Sequence, residues 1–596
     1  MHHVVVHAHC YQPPREDPWL ETVETEPSAA PDHDWNARID RECYARLAQA
    51  EVRQRHAGAT VGDPDAPSGI ARLVNLYAWC TFDVGATLCE WLEREAPDTL
   101  RAMIDGDAAS VRRWGHGNAI AAPYHHVILP LASLRDRRTE VRWGIADFQR
   151  RFGRTPEGMW LPECAADDET LDVLAQEGIR FTILAPYQVQ TAGETHGLPV
   201  RWRGAHGRTL TILPYDGGLA GEVAFGGLLR NPTALAQRLA PAIADGQPRC
   251  TTLATDGETF GHHHKNGDRT LALAMALIAQ RPDARLINAA AMVAMHAPTQ
   301  DAHLVSPSSW SCAHGIERWR SNCGCRIDHG KPAAQQWRGP LREALSALAQ
   351  QSDALFEQEG RSLFADDPWH VRDAYGTVVA TDGAPLRRFV RGQTRADLDA
   401  VGVQRAQQLL EMQRATLRLF TSCAWFFDEV ERIETRQVLR YAARVLELSG
   451  FAAQLEPELI QGLDRARAGP DLLSAGALFV RDAAPYQHAA WRIAAGAMAM
   501  VAAGYPCPQV AAYDITHAPS PSAAFPHATT LVHRRTGRVS RVIGRVTGLG
   551  PSRCVTVKDA AADMHDERVV AVHEMPESIA TVLLRAHVLD DAALTG

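Results

Sequence analysis

Two short segments of this chain end in carboxylates: Gly158-Met-Trp-Leu-Pro-Glu163-Cys-Ala and Thr255-Asp256-Gly-Glu258-Thr-Phe-Gly-His-His-His264. Each follows an apolar stretch that reads as a buried strand. Two carboxylates delivered from strand ends into one pocket are what cleavage of a glycosidic bond requires, and a separation of about 5–5.5 Å corresponds to retention of configuration. Pro162 ends strand pairing and exposes Glu163 beside Trp160, in a semi-apolar wall. The plainer reading of Glu163 is a helix N-terminal residue favoured by the dipole. Gly257 permits a tight turn or the close approach of a ligand after Asp256, whose plainer reading is a turn that caps the next helix.

Other polar residues gather around these motifs. His7 and His9 alternate on a strand and share a face, where they would hold sugar hydroxyls or a zinc ion, and Gln12 adds an amide. His116, Asn118, Tyr124 and His126 form a second polar and aromatic cluster. Trp160, Trp310 and Trp319 lie near the motifs; their faces suit sugar C–H edges, although core packing is the plainer reading of each. His262, His263 and His264, beside two carboxylates, could hold a cation, but consecutive histidines point in different directions on a regular backbone. Asp216 follows the strand candidate 211–215 and is either a hydroxyl-binding residue or a turn aspartate before two glycines. Cys312, Cys323 and Cys325, with His314, are spaced C-x10-C-x-C, which matches no standard zinc pattern; the segment reads as a crowded structural or substrate-facing loop. No metal and no other cofactor is called for.

The elements that must position these groups alternate. Strand candidates at Val4–Val6, 73–76, 158–161, 181–184, 209–214 and 251–254 are separated by helical patterns near 84–95, 134–152, 168–178 and after Arg269. Short apolar strands between helices predict a parallel sheet, open or closed. About seven such units fit before residue 295, consistent with a distorted parallel barrel whose C-terminal strand ends carry the site. Beyond about residue 335, helical periodicity over 338–360 and 395–450 predicts a helical bundle, and 529–557 predicts a small C-terminal β element. The expected fold class is therefore α/β, with domains at 1–300 (catalytic barrel), 301–470 (helical region completing the cleft) and 471–596 (mixed helical/β).

Composition bounds the function classes. The 596 residues are 46% hydrophobic and 22% charged, with a formal net charge of -9, which argues against nucleic-acid binding as the main role. No apolar run is long enough to span a bilayer. The N-terminus lacks a charged leader and a small-residue cleavage site, so a cytoplasmic location is expected. The twelve cysteines are scattered from Cys10 to Cys554 and do not suggest a disulfide framework. Nothing in the sequence speaks to oligomeric state.

Four motifs in order, His7-x-His9-x-x-Gln12-Pro, Gly117-Asn118-Ala with Tyr124-x-His126 and Ile128-Leu-Pro-Leu, Trp160-Leu-Pro-Glu163, and Asp256-Gly-Glu258-x-Phe-Gly-His, resemble glycoside hydrolase family 57 over about residues 1–320. A looser counterpart of a fifth family motif is Ser308-Ser-Trp310-Ser-Cys-Ala-His314-Gly-Ile-Glu317-Arg-Trp319. The resemblance implies an incomplete (β/α)7 barrel followed by a helical region, and a retaining enzyme acting on α-linked glucan or oligosaccharide. It further implies that Glu163 is the nucleophile and Asp256 the general acid/base. His7, His9, Gln12, His116, Asn118, His126, Trp160, Asp216, Glu258, His262 and Trp310 are the expected substrate-binding residues. The Cys-rich tail of the fifth segment and the long remainder after residue 330 depart from that family. Two rival readings are a metal-dependent carbohydrate hydrolase or deacetylase with His7, His9 and Asp256 as ligands, and a carbohydrate-binding protein with little turnover; the presence of both carboxylates weighs against the second.

Overall fold

A computed structural model describes the chain except for residues 56–67, 243–246, 328–329, 331–334, 470, 486–488, 562–565 and 595–596. It is a mixed helix and strand protein with a parallel sheet and many helices. The chain groups into two compact units: 1–14, 28–339 and 420–428 form the first, and 15–27, 340–419 and 429–596 the second. Among the described residues, no helix is long and apolar enough to cross a membrane.

In the first unit the strand His2–Cys10 is buried along its whole length. That suits its Val4-Val5-Val6 core, because a strand with parallel neighbours and both faces covered has no polar side to offer water. It pairs in parallel with Arg249–Asp256 on one side and with Thr81–Val84 on the other. Thr81–Val84 pairs in parallel with Ala119–Ile120, and parallel bridges then join Ala121 to Met159 and Gly158 to Phe181. Phe181–Leu184 runs parallel to Thr209–Pro214. Just beyond that strand, the Asp216 amide donates to the Thr252 carbonyl at 2.8 Å, so the hydrogen-bonded path returns to Arg249–Asp256.

Parallel neighbours need long crossovers, and helices supply them: Ala86–Glu95, Pro97–Trp114, Leu134–Phe152, Asp168–Gln176, Gly217–Ala224, Pro232–Leu239 and Gly267–Ala279. Their starts are set locally. The Ser133 hydroxyl accepts from the Asp136 amide at 3.2 Å, and the Asp167 carboxylate accepts from the Thr170 amide at 2.8 Å, satisfying N–H groups that have no partner within the helix.

Three features differ from the sequence expectation. The candidate strand at 73–76 is instead the end of Ser68–Val74, antiparallel to Ala50–Arg55, followed by a 3-10 turn at Leu76–Ala78. The strand that joins the parallel path is the next one, Thr81–Val84; four residues with an aspartate among them carry too little apolar signal to be read as buried. The segment expected as a strand at 158–161 pairs only at Gly158 and Met159 before Pro162. A second sheet around Thr209–Pro214 is extended by Val200–Arg203, Asp301–Leu304 and Val189–Thr191, short polar strands that sequence patterning does not announce.

The second unit holds most of the helix Arg338–Leu363, then Pro368–Tyr375, Gly383–Gln393, Ala400–Arg418, Ile433–Ser449, Ala452–Asp464, Ala475–Asp482 and Ala489–Ala502. An antiparallel five-stranded sheet follows, in chain order Tyr513–Pro519, His527–His533, Val539–Thr547, Cys554–Asp559 and Arg568–Ala571. Within this unit, Arg535 is buried against Glu411 (2.7 Å), which also lies 3.4 Å from Arg414.

Candidate active site

Strand register brings the central charges abreast. His9 is the pairing partner of Asp256 on one neighbouring strand and of Asp83 on the other. His9 Nδ1 donates to Asp83 Oδ2 at 2.9 Å, and His7 Nε2 lies 3.2 Å from Asp83 Oδ1. Burial opposes charge on His9, but Asp83, and after it Asp256 and Glu258, outweigh burial and hold the imidazole up to about 9. Burial would likewise raise Asp83, but the two histidines overcome it and keep its carboxyl low. His7 and His126 are pushed down by burial and are neutral at pH 7.

The proton positions follow from these states. A protonated His9 must donate from Nε2 to His126 Nε2, 3.1 Å away. Neutral His126 therefore carries its proton on Nδ1, which donates to Ser422 Oγ at 2.7 Å. The Ser422 amide also donates to the His126 carbonyl at 3.0 Å, holding His126 at its left-handed φ of 54°.

Asp256 ends its strand and is open to solvent, although protein crowds it on several sides. Desolvation by those atoms is the largest influence on its carboxyl, followed by the charge on Glu258; together they push it up to about 7. The direction does not rest on desolvation alone, because Glu258, Glu163 and Asp83 all push upward against His9. Glu258 is raised chiefly by burial; it accepts hydrogen bonds from Tyr44 Oη and, at 3.3 Å, from Gln12 Nε2. Gly257 is required between the two acids, since a Cβ there would lie 2.9 Å from Cys10 Sγ and 3.2 Å from the His9 carbonyl.

Glu163 is buried and has a left-handed φ of 59°, followed by Cys164 at 47°. Such residues cost on the order of 1–3 kcal/mol each and persist only where the surroundings fix them. The Trp310 amide donates to the Glu163 carbonyl at 2.9 Å, and Gln188 Nε2 donates to the Cys164 carbonyl at 2.7 Å. The Glu163 carboxylate is fixed as well: its Oε2 accepts from Trp310 Nε1 at 3.0 Å and from Ser311 Oγ at 2.6 Å.

Aromatic rings fill the space between the carboxylates' supports. Trp160 is fully buried, stacked on His7 (centroids 4.6 Å) and on His9 (5.2 Å). Trp310 meets Trp160 edge-on at 5.1 Å and Tyr215 at 6.4 Å, and is only partly covered. Tyr11 stacks on His126 at 3.6 Å.

The structure thus brings together His7, His9, Gln12, His126, Trp160, Asp256 and Glu258 in one contact network, and Trp310 with Glu163 beside it. Other expected residues have local partners. His116 pairs with Glu157 at 2.9 Å. Asn118, fully buried, donates to the Tyr77 carbonyl at 2.8 Å and accepts from Ser110 Oγ at 2.6 Å. His262 contacts Glu42 at 2.6 Å, while His264 donates to the Ala224 carbonyl at 2.8 Å. Asp216 caps the helix Gly217–Ala224, accepting from the Leu219 amide at 2.9 Å, and pairs with Arg238 at 3.1 Å. Sequence reasoning missed Asp83, Tyr11, Tyr44, Ser311 and Ser422. Asp83 lies in a four-residue strand too short to be read as buried, and Ser422 lies 296 positions from its partner His126, so neither offers a local signal.

Fold and site define an α/β protein with a carboxylate site at the C-terminal ends of parallel strands. Residues 6–300 match the family described as Glycosyl hydrolase family 57, and this part of the chain belongs to it. Residues 334–540 match a domain of unknown function, DUF3536. A 4-alpha-glucanotransferase of Thermococcus litoralis is 24% identical over 177 residues, 29% of this chain and 25% of that protein. An alpha-amylase of Pyrococcus abyssi is 22% identical over 181 residues, 30% of this chain and 26% of its own length. The chain therefore spans about a quarter of these curated relatives. An exo-type maltose-forming amylase from Pyrococcus sp. ST04 is similar in fold, with a TM-score of 0.59 at 12% identity over 77% of this chain and 83% of that one.

Proposed function

We propose that the protein is a retaining glycoside hydrolase or glycosyl-transferring enzyme acting on α-linked glucan or oligosaccharide, with Asp256 as general acid/base and Glu163 as nucleophile. The observation that carries this reading is the contrast between two carboxylates. Asp256 is pushed up to about 7 by desolvation and by Glu258, which suits a proton donor at neutral pH. Glu163 is held by two donors on Oε2, which leaves Oε1 as the attacking atom. Two acids in one site with environments that differ in this way divide acid from nucleophile roles.

In this mechanism Asp256 gives its proton to the glycosidic oxygen as Glu163 Oε1 attacks the anomeric carbon. The bond to the leaving group breaks and a glycosyl ester forms on Glu163. The Asp256 carboxylate then takes a proton from water or an acceptor hydroxyl, which attacks the same carbon and frees Glu163. Trp310, partly open, offers the ring face to the sugar; Trp160 and His7, both fully buried, brace it from behind. His9 and Gln12 set the position and charge of Asp256 and Glu258. The pairing path described above supports a (β/α)7-type barrel within residues 1–300, with 301–470 lending Trp310, Ser311 and Ser422 to the cleft and 471–596 a mixed helical and β region.

A metal-dependent deacetylase using His7, His9 and Asp256 is not favoured: among the described residues the one set of side chains gathered as metal ligands is Cys312, His314, Cys323 and Cys325, and residues 6–300 match the glycosyl hydrolase family. The test is a product profile on maltooligosaccharides across pH. Shorter products alone mean hydrolysis, and new longer chains mean transfer; turnover should fall as pH rises through about 7. Sugar binding without cleavage by the intact chain would sink the proposal.

A further inference from the structure

Directly after Ser311, the chain gathers Cys312, His314, Cys323 and Cys325 so that one ligand atom from each lies within 4.8 Å of all the others. Among the described residues this is the one such group of metal-ligating side chains. Two separations are specific. Cys312 Sγ and Cys323 Sγ are 3.9 Å apart, and Cys325 Sγ and His314 Nδ1 are 3.4 Å apart. A tetrahedral zinc ion with Zn–S bonds of about 2.3 Å and a Zn–N bond of about 2.05 Å needs ligand edges of about 3.8 Å between sulfurs and about 3.6 Å between sulfur and nitrogen. A disulfide would need about 2.05 Å between sulfurs, and all three cysteines are free.

The backbone is shaped for this convergence. The Gly315 amide donates to the Cys312 carbonyl at 3.2 Å, closing a turn that brings Cys312 and His314 to one side. Gly324 has a φ of 81°, which lets Cys323 and Cys325 turn toward one point although only one residue separates them. The Cys325 carbonyl is held by Gln335 Nε2 at 2.7 Å and by Arg338 Nη1 at 3.3 Å. Linear spacing rules for zinc sites assume ligands placed by short regular turns; here the two halves meet through a longer loop.

We infer that Cys312, His314, Cys323 and Cys325 form a closed Cys3His site for a thiophilic divalent cation, zinc by its chemistry. With four protein ligands the site has no open position for water, so its role is structural. It would clamp the loop whose first residues, Trp310 and Ser311, hold Glu163. The inference stands independently of the proposed activity.

The experiment uses the untagged full-length protein, purified under reducing conditions and analysed by elemental mass spectrometry. One zinc per chain is expected. Cys325→Ser should lower it at least fivefold, with the circular dichroism spectrum retained, and His314→Cys, which keeps four ligands, should hold it. Replacement by Co2+ should give the visible bands of a tetrahedral thiolate complex. Zinc removal should speed tryptic cleavage at Arg320 or Arg326. Absence of stoichiometric metal, unchanged metal in Cys325→Ser, or a Cys312–Cys323 disulfide in the freshly isolated protein would overturn the site. Equal cleavage rates with and without zinc would overturn the clamp.

Discussion

Replacing Asp83 by Asn isolates the charge on which the centre of the site depends. His9 is buried and held up to about 9 by Asp83 against the ordinary 6.5. At 1.36 kcal/mol for each tenfold change, that difference favours the folded, protonated state by about 3 kcal/mol. The sign is fixed by linkage. A histidine raised on folding contributes its full stability below about 6.5, where both states bind the proton, and loses it as pH climbs to about 9 and the folded state releases it. The unfolding free energy of the wild-type protein, from urea denaturation followed by the tryptophans of the first unit, should therefore fall by about 3 kcal/mol from this group between pH 6.5 and 9. Asp83→Asn should be less stable at pH 6.5 by a similar amount, in line with about 3–5 kcal/mol for breaking one partner of a buried pair, and the fall of about 3 kcal/mol due to His9 should be missing from its profile across that window. A histidine proton resonance that disappears in His9→Gln should titrate near 9 in the wild type and well below it in Asp83→Asn. If both proteins show the same pH slope and the same titration, the pairing does not set the charge on His9, and the proton positions assigned to His126 and Ser422 fall with it.

Two further outcomes follow from the contacts. Trp310→Phe keeps the ring but removes one of the two donors on Glu163 Oε2; loss of a hydrogen bond to a charged group is worth about 1.5–3 kcal/mol, so kcat/KM should fall roughly tenfold to a hundredfold, and unchanged kinetics would contradict the anchoring. In the second unit, Arg535→Met leaves the buried Glu411 carboxylate short of its 2.7 Å partner and should cost about 3 kcal/mol in unfolding experiments, most of it recovered when Glu411→Leu is added; a double variant no more stable than the single one would refute the pairing.

Much of the candidate site was legible because its carboxylates sit where strands stop. Pro162 before Glu163 and Gly257 after Asp256 are turn residues next to apolar runs, and local composition carries that signal. The strands Phe181–Leu184 and Thr209–Pro214 and the helix Leu134–Phe152 stand where patterning puts them, since each has a clear period and a capping or turn residue at its end. What escaped depends on contacts distant in sequence. Asp83 gains its meaning from His7 and His9 on the neighbouring strand, and Ser422 from His126. The cysteines converge through two turns, at Gly315 and Gly324, that spacing alone does not reveal. Trp160 reads from sequence either as core packing, the plainer reading, or as a ring that positions sugar; it is fully buried against His7, His9 and Trp310, and Trp310 is the partly accessible ring.

The most direct test of the central claim is to trap the ester. The Asp256→Asn variant, with its acid/base removed, should accumulate a glycosyl-enzyme when given an activated fluorinated α-glucosyl donor. Peptide mass spectrometry should find one glucosyl unit on the peptide containing Glu163, and none after Glu163→Gln is added. A label on any other carboxylate, or turnover of the donor with inversion and no label, would contradict the account.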